Sequence, residues 1–216
     1  MADERLEGLD HLVGLIAARP NSRRLIVAIA GPPGAGKSTV ASIVRDRCIG
    51  ELGAAADIIP MDGFHLDDHV LRERNLLSRK GAKDTFDVGG LIALLRRIQA
   101  DTEDEIAVPL FDRALELSRA GALIIPRRTR VVIVEGNYLL LDSEPWASLS
   151  GFFDIRVRIK ISQSVLRQRL VARWTSFGLP FEEIKRRVET NDLLNGELVD
   201  TTSIVPDLWL HWVVDD

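Results

Sequence analysis

Residues 25–39 read LIVAIAGPPGAGKST, and no other stretch limits the fold as tightly. Leu25 to Ala30 is continuously apolar and bounded by Arg24 and Gly31, which predicts a strand buried on both faces of a parallel sheet; a strand with one wet face would alternate. Gly31 to Thr39 then fits G-x-x-x-x-G-K-S/T without a gap, and helical spacing follows it. Gly31, Gly34 and Gly36 let the backbone curl so that successive N–H groups converge, while the next helix presents its positive end to the same point. That order of strand, loop and helix implies an anion at the junction, with a nucleotide phosphate as its natural form. Gly31, Pro32, Pro33, Gly34, Ala35, Gly36, Lys37, Ser38 and Thr39 are therefore the expected ATP-binding residues. Lys37 is expected to bridge the β- and γ-phosphates and the Ser38 hydroxyl to ligate Mg²⁺. The alternative, an ordinary glycine-rich turn capped by Ser38, requires neither flank.

Asp57 to Met61, Val131 to Val134 and Ile155 to Ile161 look like the first strand, and Leu208 to Val214 is a weaker fifth. Alternation in Ile155 to Ile161 predicts a strand with one face toward charge. Helical patterns cover Ser38 to Arg47, Asp67 to Leu77, Asp87 to Ala100, Ser162 to Trp174 and Phe181 to Leu194. Before them, Leu6, Leu9, Leu12, Val13, Ile16 and Ala17 recur at helical spacing, a helix ending ahead of Pro20 and Asn21 and expected beside the sheet. Strands alternating with helices imply an α/β protein with a doubly wound, mainly parallel five-stranded sheet and helices on both faces. Ile106 to Phe111 and Ala122 to Pro126 are read as a small hairpin or flap. No repeat or linker divides the chain, so residues 1–216 are expected to form one domain.

Composition narrows the partners. Apolar residues make up 46% of 216 residues and the net charge is -4. An acidic balance argues against a general nucleic-acid or membrane-surface binder, so any phosphate site must be local. The start, MADERLEG, lacks a basic stretch followed by an apolar core, and no apolar run approaches the roughly 20 residues that span a bilayer. A cytoplasmic location is expected, with the oligomeric state open and a dimer one option. Cys48, the only cysteine, sits among Ile43, Val44 and Ile49 and reads as a buried, unreactive thiol.

Acidic residues at strand ends come next, because ligands in open α/β sheets sit beyond the carboxyl ends of the strands. VVIVEG puts Glu135 there, able to face Ser38 and to hold Mg²⁺ directly or through water; capping Gly136 is the competing role. ADIIPMDGFH puts Asp62 at the end of the second strand, where a carboxylate can accept the proton of an attacking hydroxyl, or simply form an Asp-Gly turn with Gly63. His65 is placed to hydrogen-bond a substrate or to be an ordinary polar residue. Asp67 and Asp68 read as helix caps. In SQSVLRQRLVARW, Arg169 and Arg173 lie four apart and share one helical face, with Arg167 displaced around it.

Taken in order, these residues resemble the P-loop kinase group that contains uridine kinase, pantothenate kinase and phosphoribulokinase, over nearly the whole chain. GPPGAGKST, PMDGFHLD, KGAKDTFD, VPLFDR and VVIVEGNYLL resemble most closely the bacterial proteins labelled fructose transport system kinases. The resemblance implies the P-loop NTPase fold, Asp62 as catalytic base and Asp87, Asp112 and Arg113 as acceptor-contacting residues. On residues alone, Asp87 is an N-cap, and Asp112 with Arg113 reads equally as a solvated ion pair. The resemblance also implies a helical lid, roughly 162–195, that brings Arg169 and Arg173 to the transferring phosphoryl group beside Lys37. Gly178 and Pro180 end its first helix. Where uridine kinases carry a D-S-F-Y type segment this chain has Asp62 to His65, and their H-x-R element is absent.

The expected activity is transfer of a phosphoryl group from Mg-ATP to a hydroxyl of a small metabolite: a sugar, a nucleoside or a pantothenate-like alcohol. A regulatory ATPase acting on a transporter or enzyme partner is the alternative from another class. The basic stretch from Arg156 to Arg187 carries a third reading, a nucleic-acid module, against the acidic total.

Overall fold

Alternate residues of the first strand, β1 (Leu25–Ala30), belong to two different cores. Leu25, Val27 and Ile29 pack with Val40, Ala41 and Val44 on one side, whereas Ile26, Ala28 and Ala30 pack with Leu91, Leu95 and Val134 on the other. Period-two side chains covered by helices on both faces make the run continuously apolar. Each fully buried Val, Leu or Ile there contributes about 1.5–3 kcal/mol.

The computed structural model describes residues 2–20 and 23–212, without the side chains of residues 2–4. Five strands form one wholly parallel sheet in the order β2-β5-β1-β6-β7. The other four strands are β2 (Ala56–Pro60), β5 (Val131–Gly136), β6 (Ile155–Lys160) and β7 (Leu208–His211). Val213 and Val214, expected in the last strand, lie outside the described residues. The helices α1 (Ala2–Ala17) and α2 (Lys37–Leu52) cover one face, and α4 (Val88–Ala100) the other. In α1, Leu9, Leu12, Val13 and Ile16 are buried, while Leu6 and Ala17 face solvent. The expected hairpin is a separate two-stranded antiparallel sheet, β3 (Glu105–Asp112) and β4 (Leu117–Pro126).

Several helix ends differ from expectation. Helix α2 runs on from Arg47 to Leu52, where Gly53 in the left-handed region closes it. Helix α3 (Asp68–Glu73) stops early because Asn75 takes φ 56°, which no right-handed helix accommodates. The pattern expected from Phe181 to Leu194 is α6 (Phe181–Arg187), a π-helical turn over Val188–Asp192, and α7 (Leu193–Thr202). Helix α5 (Gln163–Ser176) rests on α6 through its own small core of Leu166, Leu170, Ile184 and Val188. Strand β6 does turn one face to charge: Arg156 pairs with Asp207, and the buried Arg158 pairs with Asp200 beneath Trp209. Arg167 pairs with Glu189, and Arg186 and Arg187 share Glu183. Five of the seven arginines between Arg156 and Arg187 are thereby paired with carboxylates. No helix among the described residues is long and apolar enough to cross a membrane. Cys48 is buried, and desolvation pushes its thiol pKa up to about 11, which disfavours the reactive thiolate at neutral pH.

Candidate active site

The loop after β1 turns on Gly36, whose φ of 88° is left-handed and where an added Cβ would lie 2.9 Å from the Trp212 ring. Gly36 is also the N-cap of α2 and offers that helix no side-chain cap. The first N–H groups of α2 are therefore directed to whatever anion the loop holds. Beside them lies a cavity of 380 Å³, lined by Gly34, Lys37, Ser38, Thr39, Glu135 and Arg169 among others. Gly31, Pro32, Pro33 and Ala35 complete the turn; Pro32 accepts a 2.9 Å hydrogen bond from Lys37 Nζ through its carbonyl.

Parallel pairing sets Glu135 on β5 opposite Ile29 of β1, and the Ser38 hydroxyl donates to Glu135 Oε1 at 3.0 Å. Burial pulls the Lys37 pKa down and pushes the Glu135 pKa up; in each, desolvation outweighs the attraction between them. Arg169 Nη2 is buried and meets no hydrogen-bond acceptor among the described residues. An orphaned donor of this kind costs about 1–3 kcal/mol, and a phosphate oxygen against the loop would satisfy it. No cluster of three or more His, Cys, Asp or Glu among the described residues would hold a metal alone. Ser38 and Glu135 with phosphate oxygens and water do suit Mg²⁺, which keeps few protein ligands.

A second cavity, 140 Å³, adjoins the first, and Pro33, Asp62, Arg113, Asn137 and Arg173 line both. Asp62 stands in a 3-10 turn, Met61–Phe64, directly after β2. Gly63 there is a close-approach glycine as well as a turn residue: an added Cβ would lie 2.1 Å from the Pro109 carbonyl of β3. The hairpin thus lies across the turn that carries Asp62, and Arg113 from its tip donates to Asp62 Oδ2 at 2.7 Å. Arg173 reaches both cavities; burial first, then neighbouring Arg113, pulls its pKa down. Arg169 and Arg173 are the two arginines of the 156–187 stretch with no carboxylate partner among the described residues.

His65 lines the second cavity with Lys80, Phe86, Phe111, Trp174 and Asp192. Two other sequence candidates are not brought there. The Asp87 carboxylate caps α4 by accepting from Gly90 N–H at 2.8 Å. Asp112 accepts from the N–H groups of Ala114 and Leu115 in the hairpin turn and pairs with Arg119. Asp87 is the cap that its sequence context alone suggested; Asp112 is spent on local backbone and on Arg119 rather than on an ion pair with Arg113, which pairs with Asp62.

Four further residues line the site, and all but Asn137 have little sequence signal. Asn137 lies two residues beyond Glu135 at the same strand edge, which does mark it. Trp174 donates from Nε1 to the buried Asp192 at 2.7 Å, and burial raises the Asp192 pKa. Asn195 is 3% exposed. The π-helical turn before α7 ends on Asp192 and precedes Asn195, and such turns recur at functional sites. Asp67, by contrast, is the expected cap, accepting from His69 N–H.

A parallel sheet with a phosphate loop at its carboxyl edge, and a carboxylate where a second cavity joins, defines a P-loop phosphotransferase. No family model matches the chain. A Schizosaccharomyces pombe protein whose name marks it as a candidate uridine kinase, C227.14, is 32% identical over 198 residues, 88% of this chain and 84% of that protein. The pantothenate kinase of Mesorhizobium japonicum is 30% identical over 156 residues, covering 69% of this chain and 49% of the relative. Among solved structures, a candidate fructose transport system kinase from Silicibacter sp. TM1040 superposes with a TM-score of 0.87 at 36% identity, over 95% of this chain and 98% of that one. The chain belongs to the P-loop kinase group of uridine kinase, pantothenate kinase and phosphoribulokinase, and is a small-molecule kinase.

Proposed function

We propose that the protein transfers the γ-phosphoryl group of ATP to a hydroxyl of a small metabolite, with the nucleotide phosphates in the larger cavity and the acceptor in the smaller. The observation that carries this reading is the shared wall: Asp62, Arg113, Asn137 and Arg173 line both spaces. A base for phosphoryl transfer has to touch the acceptor while facing the phosphate, and only a residue on that wall does both.

In this mechanism the Gly31–Thr39 backbone and the start of α2 hold the phosphates. Lys37 leaves the Pro32 carbonyl for the β- and γ-phosphates. Ser38, with Glu135 directly or through water, would hold Mg²⁺, which would supply neutralisation of phosphate charge. Asp62 accepts the hydroxyl proton as oxygen attacks phosphorus and the bond to the β-phosphate oxygen breaks, leaving ADP. Arg169 and Arg173, carried by a lid of roughly residues 162–195, face the charge spreading over the transferred group. Arg113 and His65 contact the acceptor; Asp87 and Asp112 take structural roles instead. Phosphorylation of the alcohol turns a neutral group into a dianion, which the cationic wall would hold until the lid opens.

The test is ATP turnover by the full chain over a panel of sugars, nucleosides, pantothenate and hydroxy acids, with mass spectrometry for a product heavier by one phosphoryl group. Slow hydrolysis alone and a large increase with a particular alcohol support the reading. Fast hydrolysis unchanged by every member of the panel replaces it with the regulatory ATPase.

A further inference from the structure

His65 is held by contacts that leave one of its ring nitrogens a single chemical option. The Asp62 carbonyl receives both the His65 backbone N–H, at 3.1 Å, and the ring Nδ1, at 2.8 Å. A carbonyl oxygen can only accept, so Nδ1 carries the hydrogen. The ring is clamped between Phe86, centroids 4.1 Å apart, and Phe111, 4.7 Å, and backbone pairing of His65 with Phe86 fixes the base of the side chain. A half-turn of the imidazole would keep its tilted contacts with both rings but give up the bond from Nδ1 to the Asp62 carbonyl, so that bond fixes which nitrogen faces the cavity. Burial is the first influence on its charge and lowers its pKa, with Lys80 and Arg113 acting the same way and Asp62 opposing. A neutral ring protonated on Nδ1 has a bare lone pair on Nε2.

No donor among the described residues meets Nε2. The nearby cations are committed: Lys80 donates to Asp68 and to the Glu116 carbonyl, and Arg113 to Asp62. The ring nevertheless lines the acceptor cavity, three residues from the proposed base. We infer that His65 is a specificity-determining residue: its Nε2 accepts a hydrogen bond from a second hydroxyl of the phosphoryl acceptor, so the enzyme selects polyhydroxylated acceptors over alcohols with one hydroxyl. The inference rests on the kinase reading for the acceptor itself, whereas the state of the ring stands apart from it. A neutral acceptor nitrogen accepts from a hydroxyl and offers nothing to a methyl or methylene group. The analogue lacking the second hydroxyl leaves the lone pair unpaired in a partly desolvated site, which lowers kcat/KM by about ten- to a hundredfold.

Two measurements on the full chain test this. Two-bond ¹H–¹⁵N correlation spectra of protein labelled in its histidines, with His65→Gln to identify the signal, are expected to show the Nδ1–H form at pH 7. A ring protonated on Nε2, or on both nitrogens, overturns the inference whatever the kinetics show. The kinetic arm uses matched acceptors: D-glycerate and 3-hydroxypropionate, pantothenate and its 2-deoxy analogue, ribose and 2-deoxyribose. The wild type is expected to favour the more hydroxylated member of any accepted pair by about ten- to a hundredfold, His65→Phe to reduce that to about twofold, and His65→Gln, whose side-chain oxygen reaches near the Nε2 position, to restore part of it. ATP-analogue affinity and melting temperature of both variants report folding. A preference that survives in His65→Phe overturns the inference. Transfer to no panel member, with an Nδ1–H ring, counts against the kinase reading and leaves the assigned ring state standing.

Discussion

The two adjoining cavities are built in opposite ways. Half of the twelve residues that line the larger one come from a single run, residues 33–39, which turns at the left-handed Gly34 and Gly36 and presents backbone N–H groups. The smaller one is assembled from the turn after β2, the Lys80–Phe86 segment, the β3–β4 tip, the end of β5, α5 and the start of α7. Phosphate recognition by main chain tolerates change in side chains around it. Acceptor recognition by side chains from separated segments changes with any one of them, which is how one reaction can serve many acceptors.

The comparison can be broken first at Asp62 and Lys37. Asp62→Asn is expected to lower phosphoryl transfer by about 10²–10⁴-fold while nucleotide affinity, measured by calorimetry, moves less than about twofold. Lys37→Ala is expected to lower kcat by about 10²–10³-fold and to weaken nucleotide binding as well. If both substitutions moved nucleotide affinity alike, the two cavities would not be separate in function.

Trp174→Phe sharpens the contrast on the acceptor side. The Asp192 carboxyl, 8% exposed, loses its Nε1–H donor, so urea denaturation is expected to show a loss of about 1–3 kcal/mol. Arg113→Ala removes a half-exposed ion pair, so stability is expected to change by less than about 1 kcal/mol. Its effect belongs in the acceptor KM, expected to rise by about two- to tenfold with the ATP KM unchanged. A parallel rise in the ATP KM would make Arg113 a phosphate residue.

The smallest effect is on pH. The folded His65 ring, facing Asp62, Lys80, Arg113 and the Asp62 carbonyl, has its pKa lowered below the ordinary value, chiefly by burial. The unfolded chain takes up a proton near pH 6.5 that the folded ring refuses until the pH is lower. Stability from this group is therefore complete above about pH 6.5 and is lost as the pH falls through the folded pKa. Melting curves between pH 7.5 and 5 should fall less steeply in His65→Phe.

Much of the fold was legible because the signals are short-range. The β1 boundaries, the order of strands and helices, and the Asp87 and Asp67 caps all follow from periodicity and from residues within four positions. Helix ends were harder: Asn75 tolerates the left-handed region that stops α3 but does not require it, and the π-helical turn at Val188–Asp192 has no periodicity of its own to read. Within the site, Glu135 and Asp62 could be read at strand ends because the sheet edge is where such strands lead. Asp87 and Asp112 show the limit of the same reasoning, for a carboxylate in the right segment can be consumed by its own backbone.

By itself the sequence determined the phosphate loop, since glycine spacing after a buried strand dictates where N–H groups converge. It determined too that a carboxylate would stand at each of two strand ends. Only the tertiary structure decided that Arg113 reaches Asp62 across 51 residues, that Trp174 donates to Asp192, and that His65 is clamped between Phe86 and Phe111. Those contacts join segments far apart in the chain, and no local pattern encodes which distant side chain will fill a given space.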